Sequence, residues 1–352
     1  MASKVASPLY DLKAMLPDEL DRLVGELDEP AYRTRQILDW LYAKGVRDVR
    51  EMTNISNILR EKLAERTRIT CLNLVKRQES ATGEAVKFLF ELPTGHRVES
   101  VLIVDGTRRT ACLSSQVGCP LDCKFCATGR MGMIANLEAG QIVDQLLQVN
   151  QFARERDERV TNVVMMGMGE PLLNYSAVMR ALKLMRLKEG IGLGGRKVTV
   201  STAGYIPGIR RLMAEDLNVG LAISLNATTD EMREQLMPIN RKYKIADLLA
   251  IAREFFACRG YGVTFEYVLM AGLTDADADA RRLAELTRDI PCKINLIPYN
   301  ETTDHRFRRP ARQRLAQFYQ VLKGCNVEFT VRHSRGRDID AACGQLYHQQ
   351  KK

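Results

Sequence analysis

The chain has 352 residues, 45% of them hydrophobic and 27% charged, a balance that excludes a disordered, collagen-like or disulfide-stapled miniature protein and allows one large α/β domain plus an appendage. Lysine and arginine number 52 against 43 acids, and the resulting +9 favours polyanionic partners such as nucleic acid. No stretch reaches the ~18 apolar residues of a membrane helix, and "MASKVASPLYDLKAML" lacks the apolar core of a signal peptide, so the expectation is a cytoplasmic protein with no membrane partner.

In chain order, "LPDELDRLVGEL", "AYRTRQILDWLYAKG" and "SNILREKLAERT" carry apolar residues at helical spacing. Ile37, Leu38 and Leu41 share a face, leaving Arg33, Arg35 and Lys44 free to point outward. Residues 1–75 are expected to form a basic helical accessory domain suited to RNA. "EAVKFLFEL" and "HRVESVLIV" alternate around a Pro-Thr-Gly turn and predict a β-hairpin in a linker spanning 76–108. From 109 to 346 short strands alternate with amphipathic helices. Strands are expected at 110–114, 162–166, 197–201, 219–225, 263–269 and 293–297, separated by helical runs such as "AGQIVDQLLQVNQF", "SAVMRALKLMRL", "IADLLAIAREFF" and "ADARRLAELTRD". Six β/α units in series imply an α/β fold with a parallel sheet, open or curled into a partial (β/α)6 barrel. A seventh strand at 327–333 leads into "SRGRDIDAACGQL".

Clustered cysteines in a reducing compartment point to metal binding or redox catalysis rather than structural disulfides. Four of the nine lie in "CLSSQVGCPLDCKFC" (112–126), where Cys119, Cys123 and Cys126 form C-x3-C-x2-C. Soft thiolates so spaced suit zinc or iron–sulfur. A zinc ribbon wants a second C-x2-C, which Cys71, Cys258, Cys292 and Cys325 do not supply; these four are expected to be packing residues. A thioredoxin-type pair would use Cys123 and Cys126 and leave Cys119 without a role. Three thiolates on a four-iron cluster leave one iron for a small molecule, and the loop follows the first strand of the β/α series, where barrel enzymes carry their active sites.

"GMGEP" (167–171) closes the second strand, its glycines allowing close backbone approach and Glu170 able to accept from an ammonium group, although such a turn is commonly no more than a turn. Ser201, then Ser224-Leu225-Asn226, then Asn300 close later strands on the same rim. On residue type alone, Cys343 reads as a small buried residue beside Ala341 and Ala342, and Glu99 as an exposed strand carboxylate. The runs "RKYK" (241–244) and "HRFRRPARQR" (305–314) read as solvated faces or as phosphate contacts.

C-x3-C-x2-C with Phe125 before its third cysteine is the signature of radical S-adenosylmethionine enzymes. "QVGCPLDCKFCATG", "MGMGEPLLNY", "VTVSTAGYIPGI", "LAISLNATTDEMREQLMPIN", "INLIPYNE" and "RGRDIDAACGQL" together resemble the RlmN/Cfr family of radical RNA methyltransferases, over residues 20 to 346. The resemblance implies a [4Fe-4S] cluster on Cys119, Cys123 and Cys126. It implies S-adenosylmethionine contacts at Gly169, Glu170, Ser201, Ser224, Leu225, Asn226 and Asn300, with two S-adenosylmethionines consumed per turnover. It makes Cys343 the methyl carrier, Cys112 the resolving thiol in a transient Cys112–Cys343 disulfide, and Glu99 the general base. The implied product is an adenine methylated at carbon 2 in the peptidyl-transferase region of 23S rRNA and in certain tRNAs, with a flavodoxin-type reductant and a monomeric enzyme. Methylation at carbon 8 is the alternative from the same family, and a non-catalytic zinc-containing RNA-binding protein the alternative outside it. One departure stands out: many relatives carry Ser-Leu-His where this chain has Asn226, an amide that can donate and accept but not titrate.

Overall fold

A computed structural model describes residues 9–302 and 306–347; residues 1–8 of the expected accessory domain and His305 of the second basic run lie outside the described residues. β1 (Tyr10–Asp11) pairs in parallel with β2 (Thr67–Arg68) and closes a helical unit made of α1 (Pro17–Glu26), α2 (Tyr32–Leu38) and α3 (Asn57–Arg66). Pro17 opens α1 with Asp18 and Glu19 in its first turn, where a fixed φ and negative charge both suit a helix N-terminus. α2 runs on into a π-helical turn, Asp39–Lys44, stopped by Gly45 in the left-handed region. Leu20, Val24, Ile37, Leu41, Leu59 and Leu63 fill the core of the unit. Arg35 and Lys44 face solvent as expected, whereas Arg33 is half-buried against Glu29 at 3.2 Å. The unit is fixed to the rest by a buried ion pair, Lys13 Nζ to Asp144 Oδ1 at 2.5 Å.

Among the described residues the main sheet has ten strands. β3 (Asn73–Glu79), β4 (Ala85–Glu91), β5 (Arg97–Asp105) and β6 (Arg108–Cys112) run antiparallel to one another. The predicted hairpin is β4–β5, and it is continuous with the barrel sheet, because β5 pairs directly with β6. β6 is followed by a small hairpin, β7 (Gln116–Gly118) with β8 (Met133–Asn136), whose two ends bracket the cysteine loop. Gly118 is obligatory there: its φ is +73, and a Cβ would lie 1.9 Å from the Gly132 carbonyl oxygen.

β6 then heads a parallel series with β9 (Asn162–Met165), β10 (Val198–Thr202), β11 (Gly220–Ser224), β12 (Val263–Leu269), β13 (Cys292–Pro298) and β14 (Phe329–Val331), each hydrogen-bonded to the next. The crossovers are α4 (Ala139–Arg154), α5 (Tyr175–Met185), α6 (Ile206–Ala214), α7 (Asp230–Leu236) with α8 (Ile245–Arg259), α9 (Asp277–Thr287) and α10 (Arg312–Gly324). This is the expected α/β partial barrel with six parallel strands and a seventh closing the row. α6, α7 and α10 were not read from the sequence. α10 begins inside the basic run 305–314, where Arg314 pairs with Asp277 and Arg309 donates to the Pro298 and Tyr299 carbonyls, so part of that run is barrel packing.

Candidate active site

The loop after β6 and the carboxyl ends of β9 to β13 open onto one pocket. Its wall holds Cys119, Cys123 and Cys126, Gly169 and Glu170, Ser201, Ser224 and Asn226, Asn300, and Cys343 from the C-terminal segment. The Gly-Glu-Pro turn is held by the segment after β6: Gly167 N–H donates to the Leu113 carbonyl at 3.0 Å, Met168 N–H to Ser114 Oγ at 2.8 Å and Glu170 N–H to Gln116 Oε1 at 2.8 Å. Gly169 has φ +99, and a Cβ there would lie 2.6 Å from Gln116 Cβ. Glu170 is buried, and burial pushes its carboxyl up to about 7 against the pull of N–H donors from Ala203 and Leu172. Those two bonds leave further lone pairs of the carboxylate for a ligand.

The three cluster-loop thiols lie together, half-buried in the pocket wall. Burial pushes Cys119 up to about 12 and raises Cys123 and Cys126, and the neighbouring thiols raise Cys123 further. Among the described residues no three His, Cys, Asp or Glu side chains gather around a single ion. Three neighbouring thiolates are the soft donor set that an iron–sulfur cluster takes, each on its own iron. Leu121, Cys123 and Phe125 pack against Leu236, Met237 and Tyr299, which keeps water from this side of the loop. Two buried oxygens in the wall, Asn300 Oδ1 and Glu266 Oε2, have no protein partner, as a site built for a polar ligand would leave them.

Not every predicted residue reaches the wall. Leu225 is wholly buried, its N–H donating to the Glu266 carbonyl at 3.0 Å and its carbonyl accepting from Arg233 Nε at 3.0 Å. Asn226 adopts a left-handed conformation, φ 57, and its Oδ1 accepts the Val268 N–H at 3.1 Å, so much of its amide is turned into the protein. Cys112 ends β6, facing Val101 on one side and Val164 on the other, and is buried behind the pocket rather than in its wall. Burial pushes its thiol up to about 12, and the charge of the nearby Cys343 adds to this while Arg332 opposes it. None of the nine cysteines is joined in a disulfide.

Glu99 is not an exposed strand carboxylate: it is 3% exposed, ion-paired with Lys87 and hydrogen-bonded to the C-terminal segment, because the strand that carries it lies inside a sheet covered on both faces. Cys258 and Cys325 correct the other expectation, since both are exposed; Cys71 and Cys292 are half-buried.

The C-terminal segment is sewn over the barrel mouth. Arg335 bonds Glu84 and Asp105 at 2.7 Å each, Ala127 N–H donates to the Gly344 carbonyl at 2.8 Å, and Thr128 Oγ1 donates to the Leu346 carbonyl at 2.6 Å. Asn300 Nδ2 donates to the carbonyl of Cys343 itself at 3.1 Å. Sequence reasoning missed Arg233, Glu266, Arg332 and Lys87. The one available signal was a charged residue at a strand or helix position whose neighbours are apolar, as with Lys87 in "EAVKFLFEL".

Comparison with known proteins finds relatives over nearly the whole chain. The model of the radical SAM superfamily matches residues 113–284, and that of the ribosomal RNA large subunit methyltransferase N-terminal domain matches residues 10–69. The dual-specificity RNA methyltransferase RlmN of Anaeromyxobacter dehalogenans is 46% identical over 341 residues, covering 96% of this chain and 91% of that protein. The RlmN of Geobacter sulfurreducens is 45% identical over 338 residues, covering 96% and 92%. A crystal structure of a radical SAM methyltransferase from Sphaerobacter thermophilus superposes with a TM-score of 0.92 at 44% identity, covering 96% of this chain and 99% of that one.

Proposed function

The chain belongs to the RlmN family of radical S-adenosylmethionine RNA methyltransferases, and from that we propose that it methylates carbon 2 of an adenine in 23S rRNA and in certain tRNAs, using Cys343 as methyl carrier. It is an S-adenosylmethionine-dependent enzyme with a [4Fe-4S] cluster. The observation that carries the finer reading is the meeting of Cys343 with the three cluster-loop cysteines in one pocket, with Cys112 close enough behind to interact with it electrostatically.

When bound, the cluster and S-adenosylmethionine supply a one-electron cleavage that yields a carbon radical. Carbon 2 of adenine is not nucleophilic, so a protein-held methyl group is needed. Cys343 accepts that methyl group from one S-adenosylmethionine, and a second is spent activating it. Cys119, Cys123 and Cys126 hold the cluster, while Gly169, Glu170, Ser201, Ser224, Asn226 and Asn300 line the cofactor's side of the pocket and Leu225 supports it from behind. The adduct gives up its unpaired electron to the redox chain that supplied it and Glu99 takes its proton; the Cys112 thiolate then attacks the Cys343 sulfur, the departing carbon takes a proton to become the methyl group, and a Cys112–Cys343 disulfide is left for an external reductant. Exposed cations such as Arg35, Lys44 and Lys242 contact RNA phosphates without reading sequence, and the target base is turned out into the pocket. A flavodoxin-type electron donor and a monomer acting in the cytoplasm complete the proposal.

Mass spectrometry of RNA nucleosides from a deletion strain and its complement tests the regiochemistry. 2-Methyladenosine restored by the wild type and absent with Cys343→Ala is expected; 8-methyladenosine as the sole product overturns carbon 2. Cys112→Ala is expected to accumulate protein joined covalently to RNA, and normal turnover by both cysteine variants refutes the two-thiol route. Anaerobically purified protein with zinc and no iron would sink the radical mechanism altogether.

A further inference from the structure

Glu99 is gripped from several elements at once. On β5 it faces Leu89 of β4; two residues on, Val101 faces both Lys87 of β4 and Cys112 of β6. Side chains alternate along strands, so Glu99, Lys87 and Cys112 project from one face of the sheet. The C-terminal segment lies across that face. Lys87 Nζ sits 3.2 Å from Glu99 Oε1 and donates to the Asp340 carbonyl at 3.3 Å, while Tyr347 N–H donates to Glu99 Oε2 at 3.0 Å. The two side chains are 9% and 4% exposed. Both carboxylate oxygens are thus occupied, and Cys343 lies in the chain between Asp340 and Tyr347, the two residues that this ion pair holds.

We propose that Lys87 is a positioning residue for the methyl transfer: its ammonium holds the Glu99 carboxylate and, through Asp340 and Tyr347, the segment bearing Cys343, so that proton uptake by Glu99 slackens that segment. This rests on the reading of Glu99 as the general base. The charged groups facing Glu99 are Lys87 from β4 and Asp340 from the C-terminal segment. Burial raises the Glu99 carboxyl, Lys87 and the Tyr347 N–H pull it down, and Asp340 pushes it up. When Glu99 accepts one proton from the adduct carbon, its charge is lost while Lys87 keeps its own. The ion pair ceases, and the Tyr347 N–H is left with a weaker, neutral acceptor. The next event is the attack of Cys112 on the Cys343 sulfur, and the proton that ends one step loosens the segment for the other.

The test uses full-length, cluster-loaded enzyme with Lys87→Met, Lys87→Arg and Glu99→Gln, reading single-turnover product release against pH and hydrogen exchange across residues 336–347. Lys87→Met is expected to move the acidic limb of the rate profile upward by about one to three pH units, and Lys87→Arg to return it toward the wild type. Exchange of the Tyr347 amide is expected to accelerate about tenfold in Glu99→Gln, and in Lys87→Met below its own raised midpoint, where the carboxylate is neutral, as loss of a charge-assisted hydrogen bond predicts. In the wild type, protection of the segment should fall as pH drops through the midpoint of the rate profile. An unshifted limb in folded, iron-replete Lys87→Met, an arginine variant no better than the methionine one, or protection independent of pH overturns the inference. Normal turnover by Glu99→Gln refutes the general-base reading itself; an inactive Glu99→Gln beside an unshifted Lys87→Met refutes the role of Lys87 alone.

Discussion

Arg233→Met is the most demanding test of how the cofactor rim is held. Arg233 lies on α7, is 0% exposed, and donates five hydrogen bonds: Nε to the Leu225 carbonyl at 3.0 Å, Nη1 to Asn240 Oδ1 at 2.9 Å and to the Tyr243 carbonyl at 3.3 Å, Nη2 to the Ala203 and Ser224 carbonyls at 2.8 and 3.1 Å. Three of those carbonyls belong to the ends of β10 and β11, so one guanidinium ties two neighbouring strand ends together. Five bonds at about 1 kcal/mol net each suggest about 5 kcal/mol. Removing a buried charge returns part of its desolvation cost, visible in the fall of the Arg233 pKa to about 10 through burial. The expected net loss is about 3–5 kcal/mol, a large share of the ~5–15 kcal/mol that stabilises a typical domain. Urea unfolding followed by circular dichroism measures it, and Arg233→Lys, which can remake only some of the bonds, should fall between. Calorimetric titration with S-adenosylmethionine should show affinity lowered at least about tenfold in Arg233→Met, since a shift of 1.4 kcal/mol in the rim suffices. A methionine variant within about 1 kcal/mol of the wild type would refute the reasoning, because the five acceptors would then cost nothing to abandon.

Three further outcomes follow from the same geometry. Gly169→Ala should weaken S-adenosylmethionine binding in a titration and cost about 1–3 kcal/mol in unfolding, because a Cβ at φ +99 must displace Gln116, whose amide oxygen holds the Glu170 N–H. Glu170 has a folded pKa of about 7 against 4.5 unperturbed, so its contribution to stability is full below pH 4.5 and is lost as pH rises to about 7. The ligand-free protein should lose roughly 3 kcal/mol over that window, and Glu170→Gln should flatten that slope in urea titrations at several pH values. Asp144→Ala should cost about 3–5 kcal/mol by the same assay, because Lys13 would be left charged and buried, and the Leu72 N–H would lose its acceptor at 2.7 Å.

The barrel was legible because its strands are buried on both faces and read as short apolar runs; "VTFEYVL" matches β12 residue for residue. β3 was not, since "NLVKRQE" is an exposed edge strand whose side chains carry almost no hydrophobic signal. α10 hid behind the charges of 305–314, and α7 is a short helix with few apolar residues. In the site, Cys119, Cys123 and Cys126 were legible from local spacing alone. Glu99, Lys87, Glu266 and Arg332 were not, because what makes them notable is strand register and burial. A buried lysine paired diagonally with a buried glutamate looks, in the bare chain, like any polar residue on an alternating strand.

Cys112 is clamped where the main sheet changes from antiparallel to parallel pairing, with a strand partner on each side. A residue so placed does not travel, so on the two-thiol reading all the movement falls to the stretch from Arg335 to Cys343. That stretch is a tether anchored at Arg335 by Glu84 and Asp105 and further along by Asp338 on the Ala81 N–H and by the Asp340 carbonyl on Lys87; once the later holds let go, its length sets the local concentration of one thiol around the other. Residues inserted between Arg335 and Cys343 would dilute the carrier without touching any group in the pocket, and the rate of disulfide closure would report the length of the tether.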